Sequence, residues 1–172
     1  MPISLNSPCS PRLRGENDLF AVESWIQPTE NYDRFRQSGV EDQAFPIHAD
    51  ARSLTFAHEY FDAVICTDAY IYFGTDDLYL DYLYHFVKPG GWIGISVPGF
   101  MREVEGQLPE HILPFWAQEC WTWHTLNWWR WHWERTGLVD GVYADVLPDG
   151  WKLWLAACRR GQTSPQARLM VN

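Results

Sequence analysis

Three carboxylates stand just past short apolar runs: Glu23 after Leu19–Val22, Asp50 after the run from Phe45 to His48, and Asp68 after the run from Phe61 to Cys66. In parallel α/β sheets, ligands bind beyond the carboxyl ends of the strands, so acids at those ends are placed to touch them. Glu23 suits the two vicinal hydroxyls of a ribose. Asp50 offers an acceptor for an exocyclic amine, and the small residue Ala51 a backbone N–H for a ring nitrogen. Asp68 is followed by Ala69, Tyr70 and Tyr72, which supply aromatic walls at a pocket mouth. A strand-terminal acid can equally cap the turn next to it. For one acid the two readings balance; three in the same relation to their strands favour a site.

Other residue types narrow the chemistry. Of the six histidines, His124 opens a tryptophan-rich segment and has the chemistry of a general base, although packing is the commoner role for a histidine. His124 and His132 are too far apart in sequence for a paired-ligand helix motif, so no metal site is expected. The chain carries 11 tryptophans. Trp121, Trp123, Trp128, Trp129, Trp131 and Trp133 are candidates for an aromatic acceptor pocket suited to an apolar small molecule, with Trp128 and His124 lining it. The alternative packs the helix on a sheet, with Trp129 and Trp133 inward at helical spacing. Cys9, Cys66, Cys120 and Cys158 are scattered without a CxxC pair, which suggests neither zinc nor a disulfide framework.

These residues need a scaffold. At 172 residues and 47% hydrophobic composition the chain can bury one core. A net charge of -9 argues against nucleic-acid binding. No apolar run reaches the roughly 20 residues needed to span a bilayer, and the start lacks a signal-peptide core. A cytoplasmic location is the expectation. Residues 1–18 read as irregular or disordered, 19–160 as the domain and 161–172 as a disordered tail. Within the domain, the spacing predicts strands at Leu19–Val22, Phe45–His48, Phe61–Cys66 and Trp92–Val97. Helices are expected after Pro28, after an Asp76 N-cap (apolar face Leu78, Tyr79, Tyr82, Leu83 and Phe86), and from Leu126 to Thr136 with Thr125 as N-cap. Lys88–Gly91 reads as a turn. Two last strands, Leu138–Leu147 and Trp151–Arg159, are expected to form a hairpin around Pro148-Asp149-Gly150. Strands alternating with helices imply an α/β fold, a mostly parallel sheet covered on both faces, closed by an antiparallel hairpin.

The order of motifs resembles the middle of a class I S-adenosylmethionine-dependent methyltransferase. Asp50, Ala51, Leu54 and Phe56 match that family's D-A-x-x-L-P-F segment. Phe61, Asp62 and Val64 match its F-D-x-V strand, and Lys88–Gly91 its K-P-G-G stretch. The resemblance runs from Leu19 to about Arg159 and implies a Rossmann-like fold. It further implies S-adenosylmethionine as cofactor, Glu23 on the ribose hydroxyls, Ser24 or Trp25 beside the adenine, and Asp50 with Ala51 on its ring. It sets Asp68 near the methionine end or the substrate.

One family element is missing. An acidic, glycine-rich loop should lie roughly 20 residues before Glu23, where its glycines let the backbone approach the cofactor. There the sequence offers Ser7-Pro8-Cys9-Ser10-Pro11 and a lone Gly15, and prolines so close together exclude a central strand. The first strand is therefore missing or replaced. Either the strands at Leu19 and Phe61 pair directly or a segment such as Ile3–Leu5 fills the gap. Three accounts stand: a truncated product, a non-catalytic relative, or a sheet completed by a partner such as a second copy. The abrupt onset of the match near Leu19 favours the first. Two functions are compatible with these residues: methyl transfer to a small-molecule acceptor, or a non-catalytic binding module that uses its tryptophan-rich surface.

Overall fold

The computed structural model describes residues 18–110, 112–140, 142–153 and 155–156. The expectations for residues 1–17, including a strand at Ile3–Leu5, and for the 161–172 tail lie outside them. The chain divides into two compact units, Met1–Ala57 and His58–Asn172.

In the first unit, Leu19–Glu23 (β1) and Ala44–His48 (β2) form a parallel ladder, with Leu19 opposite Ala44 and Glu23 opposite His48. The crossover between them is the helix Pro28–Ser38 (α1). Its limits are set by two residues. Pro28 sits at the first turn, where a missing N–H costs nothing, and Gly39 closes the helix in the left-handed conformation at φ 69°. Its Cα bears no side chain to resist that angle. Ala44 is buried, and Phe20 meets Phe45 and Phe56 at ring distances of 5.5 and 5.9 Å.

The second unit contains Phe61–Thr67 (β3), the short helix Tyr79–Tyr84 (α2), Val87–Ser96 (β4) and Leu126–Glu134 (α3). The strands β3 and β4 pair in parallel with one irregularity: Phe61 faces Val87, but Ala63 faces Trp92. Lys88–Gly91 thus bulges opposite the single residue Asp62. The segment read as a turn is part of a strand, and Lys88 at its start forms an ion pair with Asp62 on the facing strand. The bulge demands its glycines. Gly90 has φ 77°, and a Cβ on Gly91 would lie 2.8 Å from the Asp62 carbonyl oxygen and 2.9 Å from that of Lys88.

The core of this unit is aromatic. Tyr70, Tyr79 and Leu83 are buried, with Val64, Cys66, Ile93, Ile95, Trp129 and Trp133 packed on them. The Tyr70 ring lies 5.6–5.7 Å from the rings of Phe73, Tyr79, Trp129 and Trp133, and each such pair adds about 0.5–1.5 kcal/mol to the area buried. Ile65 on β3 and Trp92 on β4 are exposed. The sheet therefore does not show the two-sided burial expected of it.

Three further expectations change. Asp76 does not cap the helix itself. Its Oδ1 accepts the Leu78 N–H at 2.8 Å in a turn ahead of Tyr79, and Leu78 is exposed while Leu80 is buried. Among the described residues the closing hairpin does not form: those between 138 and 147 make no ladder, and residues 150–153 and 155–156 are helical. The Asp149 carbonyl oxygen accepts the N–H groups of Lys152 and Leu153, which starts a helical turn where a hairpin turn was expected. Finally, each parallel ladder is two-stranded, β1 with β2 in the first unit and β3 with β4 in the second. The architecture is α/β with parallel sheets. Among the described residues no helix is long and apolar enough to cross a membrane.

Candidate functional site

In the first unit the parallel register brings two of the predicted acids to one edge. Glu23 stands opposite His48, and the Ala49 N–H donates to the Glu23 carbonyl oxygen at 3.2 Å, so Glu23 and Asp50 share the carboxyl end of one ladder. Both carboxylates are drawn into their own turns. Glu23 Oε1 accepts the N–H groups of Ser24 and Trp25 at 2.8 and 2.9 Å. Trp25 is 70% exposed beside it. Asp50 Oδ1 accepts the Arg52 N–H at 2.8 Å, and Arg52 Nη2 donates to Oδ2 at 2.6 Å. The side-chain hydrogen bond from Arg52, then its backbone N–H, hold the Asp50 carboxyl down at about 2. Ala51 is half-buried behind it.

Asp68 lies at the equivalent edge of the second unit's sheet, its N–H donating to the Ser96 carbonyl oxygen at 2.7 Å beyond the Thr67–Ser96 pair. It has φ 60°, a left-handed conformation that costs a side-chain-bearing residue energy and recurs at ligand sites. Partial burial raises its carboxyl above the ordinary value. Tyr70 is placed differently from the pocket wall expected. It is fully buried, burial pushes its phenol up, and its four ring neighbours leave no face for a ligand. Tyr72 is exposed.

The aromatic cavity is in the second unit, about 290 Å³, walled by Phe100, Trp116, Trp121 and Trp123, with Glu103 and His124 on its lining. Phe100 stacks on Trp116 at 5.9 Å and tilts against Trp123 at 5.6 Å. Trp129 and Trp133 pack into the core as their spacing suggested. Trp128 lies elsewhere again, stacked between His124 and His132 at ring distances of 3.7 and 4.5 Å. These three residues are four apart, so one face of α3 and its N-terminal approach stack them in a column.

Thr125 caps α3 by accepting the Trp128 N–H on its hydroxyl, and Glu103 ties down the cap. Glu103 Oε1 accepts the Thr125 N–H and hydroxyl at 2.6 and 2.7 Å, and Oε2 lies 3.1 Å from His124 Nδ1. Burial would raise the Glu103 carboxyl, but the hydrogen bonds from Thr125 and His124 outweigh it and hold the group below its ordinary value. No motif marks Glu103: it is 21 residues before His124 in an irregular stretch, and only tertiary structure pairs them. Among the described residues no cluster of potential metal ligands occurs.

A family model described as "Methyltransferase domain" matches residues 26–95, from just past Glu23 to within one residue of the end of β4. The crystal structure of the [4+2]-cyclase SpnF is similar to the chain, with 23% identity and a TM-score of 0.41, over 45% of this chain and 29% of its own. This chain thus spans under a third of the length of that protein. No curated protein matches it significantly. The adenine-segment residues, the F-D-x-V strand and the bulged K-P-G-G stretch all fall within the matched region, as do β2, β3 and nearly all of β4: over that stretch the chain is similar to methyltransferase domains.

Proposed function

We propose that this chain binds the adenosine end of S-adenosylmethionine in its first unit and serves methyl transfer to a small-molecule acceptor. The observation that carries the reading is the placing of two acids at the carboxyl edge of one parallel ladder, Glu23 as the last residue of β1 and Asp50 two residues past β2. Glu23 keeps Oε2 clear of the turn bonds that occupy Oε1, which fits a ribose hydroxyl. Asp50 fits an exocyclic amine once Arg52 yields one carboxylate oxygen, and Ser24, Trp25 and Ala51 flank these two acids. When bound, the cofactor supplies a methyl group already activated on a sulfonium. The protein must then add chiefly proximity and alignment of the acceptor. Asp68 at its strand end and the aromatic cavity of the second unit are the acceptor-side candidates.

A second reading is favoured by one observation: both Asp50 oxygens are engaged by Arg52. A non-catalytic module would keep that ion pair and use exposed rings such as Trp25, Trp121 and Trp131 to bind a partner. Calorimetric titration with S-adenosylhomocysteine separates the two. The enzyme reading expects saturable heat that Glu23→Ala and Asp50→Ala each weaken by about tenfold, the loss of a charge-assisted hydrogen bond. No heat at high micromolar protein would sink it.

A further inference from the structure

We propose that Glu103 and His124 form a carboxylate–imidazole pair that takes the proton of a hydroxyl-bearing aromatic acceptor held in the cavity of the second unit. This rests on the reading that the cavity takes the acceptor, and names the acceptor's class.

Four observations carry it. The rings of Phe100, Trp116, Trp121 and Trp123 line the cavity, and about 290 Å³ suits a molecule of one or two rings. Among the described residues of that lining, the one carboxylate and the one imidazole are in contact with each other, Glu103 Oε2 and His124 Nδ1 at 3.1 Å. Glu103 remains ionised through its bonds from Thr125, so it fixes the proton of a neutral His124 on Nδ1 and leaves Nε2 as the lone-pair nitrogen. Trp128, stacked at 3.7 Å and 11°, holds the imidazole plane and favours a positive charge on it. Geometry of this kind belongs to a general base oriented by a third group. The step balances simply: the O–H bond of the acceptor breaks, its proton passes to Nε2, and the electron pair stays on oxygen. The resulting imidazolium sits against the Glu103 carboxylate. Apolar walls alone would select a ring; the pair selects a ring bearing an acidic hydroxyl. Neither Glu103 nor His124 lies in the matched region.

The test uses two probes of one shape, 4-nitrophenol and nitrobenzene, on the full chain without cofactor. Binding is measured by calorimetry, and ionisation of bound 4-nitrophenol by its phenolate absorbance at a pH below its own pKa. The wild type should bind both and ionise the phenol. It should hold the phenol at least about tenfold more tightly than nitrobenzene, as a charge-assisted hydrogen bond implies. His124→Asn keeps a donor toward Glu103 but removes the base, and should bring 4-nitrophenol down to the nitrobenzene affinity with no phenolate signal. Glu103→Gln should abolish the phenolate signal while nitrobenzene binds as before. Circular dichroism verifies the fold of each variant, and the second variant decides if the first fails to fold. Equal binding of both probes, unchanged by either substitution, overturns the base and leaves the acceptor cavity standing. Failure of the wild type to bind either probe overturns both.

Discussion

Asp50 and Arg52 pose a residue-scale question that one substitution answers. The Arg52 guanidinium and backbone hold the Asp50 carboxyl at about 2. Arg52→Ala removes the larger, side-chain part, and the carboxyl should return toward the ordinary carboxylate range in a carbon-detected NMR titration. A value still near 2 would assign the shift to the turn alone. Tyr70 gives a second test. Its buried hydroxyl, like the indole N–H groups of Trp129 and Trp133, makes no well-formed hydrogen bond among the described residues. Tyr70→Phe removes an unsatisfied polar atom and keeps the four ring contacts, so thermal stability should hold or rise by up to about 1 kcal/mol, whereas Tyr70→Ala should lose about 3–5 kcal/mol. Glu23, Asp50 and Asp68 were legible as strand-end acids because apolar runs advertise strand ends. Their hydrogen bonds were not, since a carboxylate that caps its own turn and one that waits for a ligand occupy the same sequence position. Glu103 was invisible because its partners come from a segment 21 residues away.

Elements were read well where local chemistry closes them. Pro28 and Gly39 bound α1, and Thr125 caps α3, because these residues act on the backbone next to them. Thr125→Ala should cost about 1–2 kcal/mol in a chemical denaturation midpoint, at the upper end for a cap because the hydroxyl's bond to Glu103 goes with it. Gly91→Ala should cost about 2 kcal/mol or more, since the new Cβ meets two backbone oxygens that a side-chain rotation cannot move. An unchanged midpoint would mean the bulge relaxes without loss. The closing hairpin failed for a reason of the same kind. Pro148-Asp149-Gly150 turns the chain, yet a turn does not dictate the conformation of the residues beyond it. Alternation of Trp151, Leu153 and Leu155 makes a strand only where a neighbouring strand completes the ladder. Lys88–Gly91 misled similarly: the residues of a turn are also those of a bulge.

Acid should weaken the second unit of the molecule through His132. The imidazole is 2% exposed, with Nε2 3.1 Å from the Gly74 carbonyl oxygen, Nδ1 3.2 Å from Arg135 Nη2, and Asp77 and His124 as further charged or titratable neighbours. Burial, then Arg135, lowers its pKa below 6.5, against the opposing pull of Gly74 and Asp77. The unfolded chain therefore binds the proton first, so the contribution to stability is complete above pH 6.5 and is lost as pH falls below it through the folded-state value. Urea midpoints measured down that range should drop for the wild type and flatten for His132→Gln, which keeps a donor for Gly74 but does not titrate. Parallel slopes for the two would assign the acid sensitivity elsewhere.

The ring column of His124, Trp128 and His132 couples the candidate base to that buried imidazole. One indole face is offered to each histidine, and a proton on His124 depresses the affinity of His132 for its own. His124→Asn should therefore raise the His132 titration midpoint in an NMR titration, and an unmoved curve would show that the two rings are not coupled. A proton arriving on His124 would then be sensed one full stack away, at the carbonyl of Gly74, without any backbone having to move.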